Sequence, residues 1–241
     1  MRFLKTFSSL LLLSAATAQS PNNCTPTSND AAVVAFGWSL SSYLDQFYSQ
    51  KPLNNSFLNS APNSAKAEYV FNFQGIQRTN LLSVRAAQIL ASRIPNVTPP
   101  GCNFTFPASP DGQTFVQNAL KVERAAAGAF VGLAAYTKTP DVSFLMSRLG
   151  AERAAVASYL AAQQMATEFP ANSTSLIPAY SPQHILRSGN QPGNLGQFLH
   201  GCLRAPQSPC GLPLGIGPLG GSFGPTSASI TTMPTPTPMC V

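Results

Sequence analysis

The sequence predicts an all-α fold, a four-helix bundle with one long crossover connection and an irregular C-terminal tail rich in proline and glycine. Three observations lead there. Four windows, residues 30–50, 65–93, 111–138 and 141–168, contain none of the 22 prolines, and proline is excluded from helix interiors because it lacks the amide donor and clashes with the preceding turn. Each window carries large apolar residues at helical spacing, without the sustained period-two alternation of a strand and at lengths well beyond an ordinary strand. More than half of the prolines and of the glycines instead fall in residues 170–241.

The chain opens with Met1, Arg2 and Lys5, an apolar run ending at Leu10 to Leu13, and Ala16-Thr17-Ala18 before Gln19. That order of charge, apolar core and small residues reads as a secretory signal peptide over residues 1–18. The bundle is then expected over 19–169. The apolar run is too short to span a bilayer, and no later segment offers the roughly 18 uninterrupted apolar residues of a membrane helix.

In the first window Val33, Phe36, Leu40, Tyr43, Leu44 and Phe47 form one stripe, with Trp38 packing beside it, and Asn29 and Asp30 stand ready to accept from the exposed amides at the start. The second carries Phe73, Ile76, Leu81, Val84 and Ala87, and the third Phe115, Leu120, Val122, Phe130 and Leu133. The fourth carries Val142, Leu145, Leu149, Val156 and Leu160, and Asp111 and Asp141 open the last two windows. Small residues such as Ala125-Ala126-Ala127-Gly128-Ala129 lie between the large ones. They favour both the helix and a close approach of its neighbours.

Asn-x-Ser/Thr sequons occur at Asn23, Asn54, Asn96, Asn103 and Asn172, all outside the four windows, which is where an accessible glycan acceptor of a secreted chain belongs. The connection 94–110, at about 3.3 Å per extended residue, can cross about 55 Å. The preceding helix spans only about 43 Å at 1.5 Å per residue. Two antiparallel hairpins joined by a full-length crossover are therefore possible.

Residues 170–241 read as a tail rather than a second domain. The stretch 197–203 suits a short helix docked by a disulfide. Residues 213–241 are expected to be extended or disordered, and Thr231-Thr232-Met233-Pro234-Thr235-Pro236-Thr237-Pro238 resembles an O-glycosylated stalk. Cys24, Cys102, Cys202, Cys210 and Cys240 in an oxidising compartment favour disulfides over metal ligation, with one of the five left over. Candidate pairings are Cys24 with Cys102 and Cys202 with Cys210, and the leftover thiol is not readable from spacing.

Removing Arg2 and Lys5 lowers the formal net charge of +6 by two. The remaining cations are scattered singly, without a basic cluster or interleaved aromatic platform, so a nucleic-acid partner is not expected. The Gly-x-Ser-x-Gly match Gly220-Gly221-Ser222-Phe223-Gly224 lies in the tail without the strand-to-helix turn of a nucleophile elbow, so it is not read as a nucleophile for His184 or His200. The glycines of 215–224 follow no strand and open no helix, which argues against a phosphate loop.

The segment Leu40-Ser41-Ser42-Tyr43-Leu44-Asp45-Gln46-Phe47-Tyr48, with Val122-Glu123, Gly128, Leu149 and Glu152, resembles the ferritin-like domain of secreted fungal proteins linked to sexual development and stress, and of similar plant desiccation-related proteins. The resemblance covers residues 30–168 and implies a ferritin-like four-helix bundle. Di-iron members place a Glu on each of two helices and Glu-x-x-His on each of the other two. Here the corresponding positions are Ser41, then Gln77 to Asn80, then Glu123, then Glu152 to Ala155. Both histidines are missing, so the metal positions Ser41, Gln77, Asn80, Glu123, Glu152 and Ala155 are degenerate, and neither metal nor other cofactor is expected. Gln77 and Asn80 are expected to hydrogen-bond Glu123 and Glu152 in a satisfied polar layer. Arg78, Arg85, Arg124, Arg148 and Arg153 are read as solvated or paired with nearby acids.

These observations suit a non-enzymatic secreted scaffold in the cell wall, extracellular matrix, host contact or stress tolerance, its partner unknown. Two alternatives stand beside it. One is a metal-dependent oxidoreductase or metal-storage protein using Glu123 and Glu152, helped by Asp45 or a tail histidine. The other is a binder of small hydrophobic ligands in a bundle interior opened by Ser41 and Ala155.

Overall fold

The computed structural model describes residues 25–99, 101–167, 169, 171 and 178–208. The signal segment, Asn23, Cys24, Asn172, Cys210, Cys240 and the stalk-like end lie outside the described residues. Those described form α1 (Ser28–Ser49), α2 (Asn55–Leu58), α3 (Ser64–Ala67), α4 (Tyr69–Ala91), α5 (Gly112–Ala134), α6 (Pro140–Gln164), α7 (Pro182–Ile185) and α8 (Gly196–Leu199), and no strand.

Local sequence explains most boundaries. Thr27 and Asp30 close a reciprocal capping box on α1: the Thr27 hydroxyl accepts from the Asp30 amide, and the Asp30 carboxylate accepts from the Thr27 amide at 2.8 Å. Asp111 accepts from the Thr114 amide at 2.7 Å to start α5. Pro140 sits in the first turn of α6, where its missing donor costs nothing. The second window splits into α3 and α4 at Glu68, whose φ of 49° interrupts the helix for one residue.

The bundle consists of two hairpins, α1 with α4 and α5 with α6. The C-terminal end of α1 and the start of α5 meet where Phe47 stacks on Phe115 at 5.1 Å, and Phe73 near the start of α4 packs edge-on against the same ring at 5.7 Å. The start of α1 instead meets the α5–α6 turn, where Asp30 accepts from the amides of Lys138 and Thr139 at 3.1 and 3.2 Å. Helix α4 thus ends at one pole, near Ile94, and α5 begins at the other, so the crossover runs the length of the bundle and α4 and α5 point the same way. This is the expected ferritin-like connection. On its way Phe104 and Phe106 pack on Tyr43 at 5.6 and 5.3 Å.

The expected stripes of α1 and α5 are buried throughout. On α4 the inward row is Phe73, Ile76, Asn80, Ser83, Ala87 and Leu90, whereas Leu81 is exposed. On α6 it is Val142, Met146, Leu149, Arg153, Ala157 and Leu160, with Leu145 and Val156 only half-buried. Both corrections arise because polar residues occupy core positions, which a search for apolar periodicity steps over.

After residue 178 the chain returns to the bundle: Tyr180, Ile185, Leu195 and Leu199 join the core cluster near α1 and α5. Gly128 permits the approach, since a Cβ there would lie 2.2 Å from the Pro178 carbonyl oxygen, and the Tyr180 amide donates to the Gly128 carbonyl at 3.0 Å. Of the short helix expected over 197–203 only 197–199 is helical, within α8, and Cys202 bonds Cys102 across a separation of 100 residues. That bond replaces both suggested pairings. The crossover and the returning segment run side by side, as the Thr105 amide donating to the Phe198 carbonyl shows, so the partner of Cys102 comes from there.

A polar layer at mid-bundle as the candidate functional site

The apolar core is divided in two. One cluster holds residues of α1 from Ala31 to Leu44, the end of α4, the distal part of α5 and the start of α6; the other holds the end of α1, the start of α4, the start of α5 and the end of α6. Between them, at one height, lie Asn80 and Ser83 of α4, Glu123 of α5 and Arg153 of α6.

Arg153 is 1% exposed and Glu123 0%. The guanidinium donates to the Asn80 side-chain oxygen, lies 3.5 Å from the Glu123 carboxylate, and lies 3.7 Å from that of Glu152. Glu152 is partly exposed, pairs with Arg148 at 3.1 Å and accepts from Ser83 at 3.4 Å. Burial raises the Glu123 pKa, opposed by the Arg153 charge and by Tyr48. Burial, followed by the Glu123 charge, pushes the Tyr48 phenol well above its ordinary range and keeps it protonated.

The sequence-derived site residues separate in space. Asn80 and Glu123 enter the layer, and Glu152 reaches its edge. Gln77 is partly exposed and donates to the Tyr48 carbonyl and the Ser49 hydroxyl at 3.4 Å, so it does not reach Glu123 or Glu152. Ser41 is buried but donates to the Gly37 carbonyl of its own helix at 2.9 Å. Ala155 is exposed. The expected satisfied amide-to-carboxylate layer is thus corrected: Asn80 bonds Arg153, because the inward row of α6 passes from Leu149 to Arg153 to Ala157 and leaves Glu152 one position aside, and Asn80 Nδ2 and both Glu123 oxygens have no hydrogen-bond partner. Sequence reasoning read Arg153 as solvated or paired with nearby acids; it is paired with acids, but buried inside the bundle. The spacing of that same row was the available clue.

The other proposed helpers lie elsewhere. Asp45, its pKa raised by burial, borders a surface groove with Gln77 and Arg78. His184 stacks on Tyr180 at 4.9 Å and meets the Pro192 carbonyl at 2.8 Å, and His200 meets the Thr105 hydroxyl at 3.0 Å. Among the described residues no three His, Cys, Asp or Glu side chains converge as a metal site would require. The residues at mid-bundle do not fit a pair of metal ions: they offer two carboxylates, no imidazole, and a fixed guanidinium against both acids.

The ferritin-like domain family matches residues 29–166. No curated protein and no solved structure matches the chain.

Proposed function

Because the chain belongs to the ferritin-like domain family, with more than half of its 241 residues inside the match, we propose that it is a secreted N-glycoprotein using the bundle as a non-enzymatic scaffold. Its role is structural or interactive, in cell wall, extracellular matrix, host contact or stress tolerance, as among the secreted fungal and plant desiccation-related proteins it resembles. The fold alone does not carry this, since one fold hosts many activities.

The supporting observation is Arg153. A buried guanidinium beside Glu123 and Glu152 supplies, covalently and permanently, the positive charge that a metal ion would supply to the same carboxylates. In this reading the di-metal centre has been replaced by a polar layer that fixes the register of α4, α5 and α6. The secreted, glycosylated part rests on the signal-like start and on the sequon residues Asn54, Asn96 and Asn103, all exposed.

Elemental analysis of the natively secreted protein tests the reading. Only traces of iron, manganese and zinc are expected. A stoichiometric transition metal that disappears in Glu123→Gln would overturn it.

A further inference from the structure

A cavity of about 550 Å³ lies between α5 and the returning segment 178–198, outside the four-helix interior. Its size falls within the roughly 300–1,000 Å³ of ordinary small-molecule sites. Three kinds of group line it. Lys121 and Arg124 supply two cations from one face of α5, three residues apart, and no carboxylate residue is among the lining. Side-chain amides come from both walls, Asn118 on α5 and Asn190, Gln191 and Asn194 on the loop. Tyr180 and Phe198 add aromatic surface.

Two of these residues carry buried side-chain atoms with no hydrogen-bond partner, the Arg124 Nε donor and the Asn194 Oδ1 acceptor. Buried polar atoms of this kind are rare in folded proteins, because each forgoes hydration without compensation. Both residues line the cavity, with these two atoms themselves closed off behind its wall.

The walls are held in place before any ligand arrives. Leu195 donates to the Ile185 carbonyl at 2.8 Å, Tyr180 to Gly128 at 3.0 Å, and Asn194 Nδ2 to the Ser188 carbonyl at 3.2 Å. Gly193, at φ 87°, lets the loop turn against the Tyr180 ring, where a Cβ would lie 2.8 Å from ring carbons. Thr105 and the Cys102–Cys202 bond tie the far side to the crossover.

We propose that this cavity binds an acidic sugar, a uronate unit. Cations without competing acids suit a carboxylate, amides suit ring hydroxyls as both donors and acceptors, and aromatic surface suits the apolar C–H face of a pyranose. A bare inorganic anion would leave the aromatic and amide surface unused, and a purely apolar ligand would bury Arg124 unpaired. This site is independent of the scaffold reading and of the mid-bundle layer.

Calorimetric titration of the full secreted chain with D-glucuronate, D-glucose and inorganic phosphate tests it. Saturable binding of glucuronate is expected, with glucose weaker by at least about tenfold and phosphate unable to displace glucuronate at equal concentration. Arg124→Gln should weaken glucuronate by about tenfold or more with little change for glucose, and Lys121→Glu, at an exposed position, should do the same if Arg124→Gln disturbs folding. Absence of glucuronate binding, equal binding of glucose, displacement by phosphate, or unchanged affinity in Lys121→Glu would each overturn the proposal.

Discussion

The guanidinium of Arg153 and the carboxylate of Glu123 face each other 3.5 Å apart at the centre of the bundle, and neither side chain is open to solvent. Desolvating two such charges is expensive, and their attraction offsets that cost only while both are present. Arg153→Met is therefore expected to destabilise the protein by roughly 3–5 kcal/mol, since Glu123 is left buried without its cation. Adding Glu123→Leu should recover most of the loss, and chemical denaturation of the two single variants and the double variant measures the coupling. Strictly additive losses would show that the pair is not an energetic unit.

Asp30 joins the start of α1 to the α5–α6 turn. Burial alone would raise its pKa, but hydrogen bonds from Thr137, Thr27 and Thr139 outweigh that effect and hold the carboxyl well below the ordinary range. Folding then favours the ionised form, so its contribution is complete above the unfolded carboxylate pKa of about 4 and fades as pH falls below it. Asp30→Asn should cost roughly 2–4 kcal/mol at neutral pH, with a gap in melting temperature that is constant at neutral pH and narrows in acid. A gap that widened in acid would contradict this assignment.

The Cys102–Cys202 bond closes a loop of about 100 residues between the crossover and the returning segment. Constraining so long a loop in the unfolded chain is worth roughly 3–5 kcal/mol. Cys102→Ser is expected to lose that stability, and non-reducing peptide mapping of the wild type should recover the two cysteines in one linked peptide. Recovery of Cys102 linked to Cys24 instead would refute the pairing.

At Gly128 the limit is space rather than backbone conformation. A methyl group would meet the Pro178 oxygen at 2.2 Å and the Tyr180 ring at 2.5 Å, so Gly128→Ala must push the returning segment away and stretch the Tyr180 amide bond. A loss of roughly 1–3 kcal/mol is expected. Faster amide hydrogen exchange at Tyr180, with α1 protection unchanged, would locate the effect.

Much of the bundle was legible without coordinates because helix formation is local. Proline-free windows, the apolar rows of α1 and α5, and the acidic residues at helix starts all depend on neighbours within a few positions, and the length of segment 94–110 permitted the crossover that forms. Leu81 was assigned inward because hydrophobicity was taken as the measure of burial, and Arg153, read as solvated or paired with acids, does pair with acids but wholly inside the bundle, where both Glu123 oxygens still have no hydrogen-bond partner. Gln77 and Ala155 missed the layer for a different reason: a family motif supplies spacing but not the rotation of a helix about its axis.

From the chain alone came the four long helices, their order and the absence of the ferritin-like histidines, since these depend on residue type and nearest neighbours. Tertiary structure alone decided which side of α6 turns inward, which cysteine meets Cys102, and that the segment after residue 178 folds back to wall a cavity against α5. Each of those outcomes is set by contacts between residues far apart in sequence, where the favoured arrangement is the one that pairs buried charges and fills space around Gly128.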